Sequence, residues 1–165
     1  MSIVLRLLTT DDEPFLWQML YHAIYIPAGA PAPPLSSIHT PELARYVVGW
    51  GRMHDYGWLA SDSTTSQPVG AVWLRLLIGD HQGYGFVDDQ TPELSLAVLP
   101  NFRGCGVGTA LLQKVCQSPY GEQAISLSVS HDNPAIRLYE RCGFTVVYHD
   151  ATSLVMVRDP QSSVS

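Results

Sequence analysis

The stretch VLPNFRGCGVG, residues 98–108, decides the fold, because it joins an apolar strand end, a glycine-rich turn and the start of a helix. Its glycines at 104, 106 and 108 alternate with other residues and let the backbone approach a ligand closely. Successive N–H groups in such a turn point toward one place, and the positive end of the following helix dipole adds to them. The stretch therefore predicts a binding site for a phosphate or pyrophosphate group.

The spacing of these glycines excludes two common phosphate-binding motifs. A dinucleotide-binding fingerprint needs glycine at its first, third and sixth positions, but Thr109 stands at the sixth. A Walker loop needs Gly-Lys followed by Ser or Thr, and that string is absent from the sequence. What remains is Arg-x-x-Gly-x-Gly, from Arg103 to Gly108. On its own, this pattern is also typical of an ordinary strand-to-helix turn that uses glycine for tight packing.

A second segment, residues 125–147, has a related layout. Its first residues, ISLSVS, alternate between apolar and polar as in a half-buried strand. Asn133 and Pro134 then suit the cap and first turn of a helix, and Gly143 suits its end. Between them, residues at i, i+3, i+4 and i+7 form one apolar stripe: Ala135, Leu138, Tyr139 and Cys142. The segment predicts a strand, a helix and a further strand from Phe144 to Val147.

Together the two segments resemble the GCN5-related N-acetyltransferases, the GNAT superfamily. The Arg103–Gly108 pattern is similar to the coenzyme A loop of that superfamily. The string from Asn133 to Phe144 is similar to its Asn-x-x-Ala-x-x-x-Tyr-x-x-x-Gly-Phe block, with Ala135 one place early. The resemblance covers residues 92–147 and implies an α+β fold of three αβα layers around a mixed, strongly twisted sheet of the acyl-CoA N-acyltransferase type. It also implies an N-acetyltransferase in which a primary amine, of a small molecule or a peptide, attacks acetyl-CoA directly.

The same resemblance implies which residues bind the coenzyme. They belong to the strand before the loop, to the loop and the helix start, and to the cap of the later helix: Leu96, Ala97, Val98, Arg103, Gly104, Cys105, Gly106, Val107, Gly108, Thr109 and Asn133. The Cys105 side chain is expected to point away from the phosphates rather than act as a nucleophile, because the backbone of such a loop faces the anion. A Gly-x-Ser-x-Gly elbow, which would suggest an acyl-enzyme, does not occur in the sequence.

A base is needed because an alkyl amine, with a pKa of about 10, is mostly protonated at neutral pH. Alternation along the central strand places Glu93 and Ala97 on the face opposite Leu94. The resemblance makes Glu93 the base, acting directly or through a water. A solvated carboxylate at the strand end is the competing interpretation, and Asp88 and Asp89 in the preceding loop are the substitutes.

An acid is also needed, because the departing thiolate benefits from a proton donor. The resemblance places the Tyr139 hydroxyl near the coenzyme sulfur and makes this residue the acid; a core tyrosine on the apolar stripe is the alternative. Some relatives carry their base on the strand after the loop, where this chain has Ser126, Ser128 and Ser130. A catalytically silent acyl-CoA-binding sensor or scaffold is the competing functional class, and Glu93 facing away from the thioester would favour it.

Composition fits a single domain over residues 1–160, followed by a tail at 161–165 that is expected to be disordered. Hydrophobic residues make up 46% of the chain and charged residues 15%, as in globular proteins. The net charge of −6 and the scattered Lys and Arg residues argue against a nucleic-acid surface. The sequence has no membrane-length apolar run, and its three cysteines form no CxxC pair, so a cytoplasmic protein is expected. The six histidines lack ligand-like spacing, so no metal site is expected.

Periodicity and turn residues predict strands at 3–8, 57–60, 69–77, 94–98, 125–130, 144–147 and 154–157, and helices at 11–25, 41–50, 106–117 and 134–142. Prolines make residues 26–41 a stiff, irregular loop, and residues 79–89 form a second loop. The resemblance implies that these two loops and the first helices build the acceptor site. It leaves the identity of the amine open, and it allows a homodimer.

Overall fold

A computed structural model describes residues 1–160; the tail predicted at 161–165 lies outside the described residues. Its strands form one mixed sheet in the order β1-β2-β3-β4-β5-β7-β6. The strands are β1 (Ile3–Leu7), β2 (Tyr56–Asp62), β3 (Pro68–Arg75), β4 (Glu93–Val98), β5 (Ile125–Ser130), β6 (Thr145–His149) and β7 (Ser153–Arg158). The α-helices of this part of the chain are α1 (Glu13–Ala23), α2 (Pro41–Ala44), α3 (Val107–Gln117) and α4 (Ala135–Arg141).

Helices cover both faces of the sheet, which confirms the predicted α+β fold with three layers. On one face, buried side chains of α3 and α4, such as Leu111 and Tyr139, pack against inward side chains of the strands. On the other face, Leu16 of α1 belongs to a core that contains Trp73 and Ala97. Alternation along each strand therefore supplies two separate hydrophobic cores from one sheet.

The sheet opens between its two central strands. β4 and β5 run parallel and are paired only at Glu93 and Ser126 within the described chain, whereas β5 and β7 are paired over their whole length. The Ser126 N–H donates to the carbonyl of Pro92 at 3.0 Å, just before the paired position. We call the opening beyond this pair the β4–β5 gap; it lies at the carboxyl ends of both strands, where β4 leads into residues 98–108.

The predicted helix over residues 41–50 is wrong for most of its length. Only Pro41–Ala44 is α-helical, and turns follow. The carbonyls of Arg45 and Val48, which a longer helix would use, accept instead from the Arg75 guanidinium at 3.0 and 2.7 Å. Gly49 then takes a left-handed conformation, with φ of +69°. Tertiary hydrogen bonds thus end this helix early.

The other predicted elements are present with small changes of boundary. The helix predicted over 11–25 begins with a 3-10 turn at Thr10–Asp12 and ends at Ala23. The strand predicted over 69–77 ends at Arg75, and the irregular segment 26–41 contains a 3-10 turn at Leu35–His39. In the described part of the chain, no helix combines the length and the apolar character needed to cross a bilayer.

Candidate active site

The glycine-rich loop presents a row of free backbone donors. Gly104 and Gly106 have φ of +74° and +85°, and the first backbone bond of α3 runs from the Ala110 N–H to the Gly106 carbonyl at 3.0 Å. The N–H groups of residues 104–109 donate to no acceptor within residues 1–160. A Cβ added at Gly104 or Gly106 would meet nothing within 4 Å. The loop is therefore open, and its donors at a helix N-terminus fit an anionic group such as a pyrophosphate.

The Arg103 side chain holds this loop in place rather than reaching outward. Its Nε donates to the Val98 carbonyl at 3.1 Å, and its Nη2 donates to the His22 carbonyl at 3.2 Å. The loop is thereby tied to the end of β4 and to the last turn of α1. The exposed Cys105 thiol donates to the Arg103 carbonyl at 3.7 Å, so it turns back to the backbone of its own loop.

The remaining residues that the resemblance assigns to the coenzyme belong to β4, to α3 and to the segment before α4. Val107 is buried, and a Cβ on Gly108 would contact Leu138 and Leu96 at 3.7 and 3.9 Å, which is ordinary packing distance. Asn133 lies on a different element, where its Oδ1 accepts from the Ala135 N–H at 2.9 Å. Asn133 thus caps α4, as its sequence position predicted. Three further members of the set are placed by their strand or helix: Ala97 is in the core beneath α1, Val98 packs against the core beneath α3, and Thr109 is half-buried in α3.

Glu93 is a buried carboxylate on the α1 face of β4, and its side chain is 4% exposed. Its Oε2 accepts a short hydrogen bond from the Tyr46 hydroxyl, while Oε1 is buried and has no hydrogen-bond partner within residues 1–160. Burial raises the pKa of Glu93 to about 7, and the Tyr46 hydroxyl and the backbone of Gly85 oppose this rise. A carboxylate with such a pKa and one unpartnered oxygen can accept a proton near neutral pH.

The backbone of the loop at residues 79–89 packs directly against the Glu93 carboxylate. A Cβ added at Gly83 would collide with Glu93 Oε1 and with the Tyr46 hydroxyl. A Cβ added at Gly85 would come within 2.8 Å of the Leu127 carbonyl carbon and 3.0 Å of Glu93 Cδ. Only glycine allows this approach, so residues 83–85 form a strap over Glu93.

The two aspartates considered as substitute bases are placed less favourably. Asp88 and Asp89 are both exposed. The Asp88 carboxylate accepts from the Gln90 N–H at 2.9 Å, and this bond lowers its pKa. A carboxylate with a lowered pKa is a weaker proton acceptor than Glu93.

Tyr139 lies on the opposite face of the sheet from Glu93. It is 7% exposed and packs edge-to-face on Phe144 at a centroid distance of 5.9 Å. Its hydroxyl makes no hydrogen bond to any residue between 1 and 160, and burial raises the pKa of the phenol. Because it remains protonated at neutral pH, Tyr139 has a proton to donate. A buried proton acceptor and a buried proton donor thus flank the sheet from its two faces.

Sequence reasoning did not assign four residues that surround Glu93: Tyr46, Gly83, Gly85 and Ser126. Tyr46 is separated from Glu93 by 47 positions, so no local pattern could connect them. Gly83 and Gly85 did carry a signal, because two glycines around one residue are typical of a close backbone approach. Ser126 had been noted only because it stands where some relatives carry their base. It is fully buried beside Glu93, and its hydroxyl has no partner in the described chain.

An open groove of about 350 Å³ lies between α1 and the 3-10 turn at Leu35–His39; residues 79–89, which were also expected to build the acceptor site, do not line it. Trp17 and Tyr21 of α1 line one side, and Leu35 and His39 of the 3-10 turn line the other. The Trp17 and His39 rings lie 5.0 Å apart, and the Tyr21 hydroxyl donates to the Pro33 carbonyl at 2.7 Å. Trp50 does not line this groove. Its side chain is buried, with the Arg75 guanidinium 5.6 Å from the centre of its ring, so it belongs to the core.

Comparison with known proteins shows the family to which this chain belongs. The model of the acetyltransferase (GNAT) family matches residues 17–144. The ribosomal protein bS18-alanine N-acetyltransferase of Haemophilus influenzae is 36% identical over 95 residues, which span 53% of this chain and 65% of that relative.

Solved structures of low sequence identity share the fold. An aminoglycoside acetyltransferase in complex with coenzyme A and kanamycin gives a TM-score of 0.62 at 21% identity, over 98% of this chain and 96% of the other. A chimera of the Vibrio cholerae spermidine N-acetyltransferase gives a TM-score of 0.60 at 19% identity, over 98% of both chains. The family match covers most of the chain, and these structures share its fold. The chain belongs to the acetyltransferase (GNAT) family.

Proposed function

We propose that this protein is an acetyl-CoA-dependent N-acetyltransferase that transfers an acetyl group to a primary amine by direct attack. Glu93 acts as the base and Tyr139 as the acid. The observation that carries this proposal is the placement of two groups on opposite faces of the sheet: Glu93 Oε1, which is buried and has no partner within residues 1–160, and the Tyr139 hydroxyl, which bonds to no residue in that range. Attack on a thioester held in the β4–β5 gap needs a proton acceptor on the side of the amine and a proton donor on the side of the sulfur.

The residues present fit acetyl-CoA. The free N–H groups of residues 104–109 suit the negative charge of a pyrophosphate, and the gap in the sheet extends to the end of β4, which this loop follows. When bound, acetyl-CoA supplies an acyl group activated as a thioester. The loop then binds the phosphates, and Arg103 keeps the loop in position through its bonds to the Val98 and His22 carbonyls.

Among primary amines, we favour an α-amino group as the acceptor. An α-ammonium has a pKa of about 8, close to the value of about 7 for Glu93, whereas a lysine-like ammonium has a pKa of about 10.4. Proton transfer to Glu93 therefore costs less from an α-ammonium. The bS18-alanine acetyltransferase, which is similar over 95 residues, is named for such a group. The open groove beside α1 would accommodate the residues that follow a peptide N-terminus.

A thiol-release assay with acetyl-CoA tests the proposal. The panel comprises peptides with free and blocked N-termini, free amino acids, a polyamine and an aminoglycoside, and mass spectrometry locates the added acetyl group. Thiol release with free N-termini, lost when these are blocked, supports the α-amino assignment. Acetyl-CoA binding without thiol release from any amine would instead identify a catalytically silent acyl-CoA-binding protein.

A further inference from the structure

We propose that Tyr46 is a positioning residue for Glu93: its hydroxyl, oriented by the Tyr84 N–H, holds Glu93 Oε2 and leaves Oε1 as the oxygen that accepts the proton. This inference rests on the proposed function, in which Glu93 is the base. Tyr46 lies outside both sequence motifs, in the turns that follow α2, and the fold brings its side chain to the Glu93 carboxylate.

The hydrogen bonds of the Tyr46 hydroxyl have only one possible direction. The Tyr84 N–H donates to the Tyr46 oxygen at 2.8 Å. The hydroxyl has a single proton, and its other short contact is with Glu93 Oε2, so this proton points to the carboxylate. Burial and the adjacent Glu93 raise the pKa of Tyr46, which keeps the phenol protonated as a donor.

The backbone around Tyr46 is itself fixed by the strand next to β4. Trp73 Nε1 donates to the Tyr46 carbonyl at 3.0 Å. The Arg75 guanidinium holds the carbonyls of Arg45 and Val48 on either side. Trp73 and Arg75 both belong to the part of β3 that pairs with β4, and Arg75 stands directly opposite Glu93. The elements that place Tyr46 are thus tied to the same strand pair that places the base.

Few charged or titratable groups face Glu93 from the elements packed against it. Arg75 on β3 is engaged by Asp55, with Nη2 to Oδ2 at 2.9 Å. Ser126 on β5 offers a neutral hydroxyl, and the strap offers backbone together with the largely exposed Tyr84 side chain. Tyr46 is therefore the side chain within the described residues that donates to the Glu93 carboxylate.

The bond to Oε2 opposes rotation of the carboxylate. Rotation would break the bond to Tyr46, and the backbone at Gly83 leaves little room, because a Cβ built there would collide with Oε1. Donation to the ionised form also favours the carboxylate over the carboxylic acid. Tyr46 thereby leaves Oε1 to accept the proton and influences the pH at which Glu93 is ionised.

The test is the pH dependence of turnover in a Tyr46→Phe variant, which keeps the ring and removes the donor. The acid limb of kcat/KM for the amine is expected to move to higher pH by about one unit, so that kcat/KM falls about fivefold at pH 7 and about tenfold well below pH 7. Activity should recover at alkaline pH, where Glu93 is ionised again. KM for acetyl-CoA should stay unchanged, because the coenzyme loop lies elsewhere. Replacement of Tyr46 by 3-fluorotyrosine, a stronger donor, should move the acid limb to lower pH.

Three comparisons separate positioning from packing. Tyr120→Phe removes a phenol hydroxyl that contacts Tyr56 on the α3 face, and it should leave the acid limb in place. Tyr46→Phe in a Glu93→Gln background should cost no further turnover. A folded Tyr46→Phe variant with an unchanged acid limb overturns the inference, even if its melting temperature falls. If that variant does not fold, an unmoved acid limb in the fluorotyrosine protein overturns it instead. Wild-type turnover in Glu93→Gln, by contrast, overturns the assignment of the base.

Discussion

Arg75 and Glu93 lie directly opposite each other on the antiparallel strands β3 and β4, and both are buried, yet Arg75 pairs with Asp55 instead. Arg75 Nε and Nη2 donate to the two Asp55 oxygens at 3.2 and 2.9 Å. An ion pair with Arg75 would lower the pKa of Glu93. Because Arg75 is paired with Asp55, burial is the largest influence on the pKa of Glu93 and raises it to about 7.

Replacing Glu93 by Gln should lower kcat by about 10²-fold or more, because the amine loses its proton acceptor. The affinity for acetyl-CoA should stay the same, and the loss should shrink at alkaline pH, where free amine is present in solution. Steady-state kinetics across pH, with Asp88→Asn as the matched carboxylate control, measure this. Full turnover of Glu93→Gln at neutral pH would transfer the role to Asp88, Asp89 or water.

The same carboxylate should make stability fall as pH rises. Its pKa is raised from 4.5 to about 7 in the folded protein, so the folded state binds the proton more tightly than the unfolded state. This contribution is fully present below the unfolded pKa and is lost as pH rises through the folded pKa. Between pH 5 and 8, the free energy of unfolding should fall by up to about 3 kcal/mol more in the wild type than in Glu93→Gln. Denaturant titrations of both proteins measure the difference, and a pH-independent difference would contradict the raised pKa.

Gly106→Val should weaken acetyl-CoA binding at least tenfold, because a branched side chain would stand where the free N–H groups meet the pyrophosphate. The variant also strains a backbone with φ of +85°. Gly29→Val is a matched control, because Gly29 has φ of +82° and equally open surroundings. Calorimetric titration of both folded variants separates strain from binding. Wild-type affinity for acetyl-CoA in Gly106→Val would show that this loop does not bind the pyrophosphate of the coenzyme.

Tyr139→Phe should lower kcat by roughly 10-fold to 10³-fold, because it removes the proton donor and keeps the ring. Its stability should change by at most about 1 kcal/mol, since the hydroxyl bonds to no residue within 1–160. Turnover and melting temperature are measured on one preparation. A normal kcat with a lowered melting temperature would identify a packed core tyrosine.

Ser126→Ala should leave stability unchanged or raise it, because its buried hydroxyl has no partner in the described chain. Thermal unfolding measures this directly. A drop in kcat without loss of stability would show that the hydroxyl acts in the reaction, beside Glu93. Ser128→Ala, two residues further along β5, is the control.

The open glycine-rich loop and its free N–H groups could be predicted from the sequence because the residues that form the loop are contiguous. The backbone of residues 104–109 supplies the donors, so glycine spacing alone carries the signal. Strand alternation likewise placed Glu93 and Ala97 on one face, opposite Leu94, because the period of a strand is two.

The environment of Glu93 could not be predicted in this way, because it depends on long-range contacts. Tyr46 reaches the carboxylate from 47 positions away. The helix that was predicted to continue through Tyr46 ends at Ala44, since Arg75 and Trp73 take the carbonyls of the following residues. Local propensity therefore gave a wrong boundary at the segment that carries the positioning tyrosine.

The two halves of the sheet on either side of the β4–β5 gap are held together differently from the strands within each half. Within a half, ladder hydrogen bonds join the strands, whereas across the gap the described residues have one paired position, Glu93 with Ser126. The halves adhere mainly through the shared core beneath α3 and α4, where Leu94 and Leu127 both lie. Because hydrophobic contact is non-directional, the spacing of the halves can change without breaking either ladder. The width of the β4–β5 gap therefore depends on the volume of the side chains packed beneath it, and we expect that shortening a core leucine such as Leu94 would change this width while both ladders stay intact.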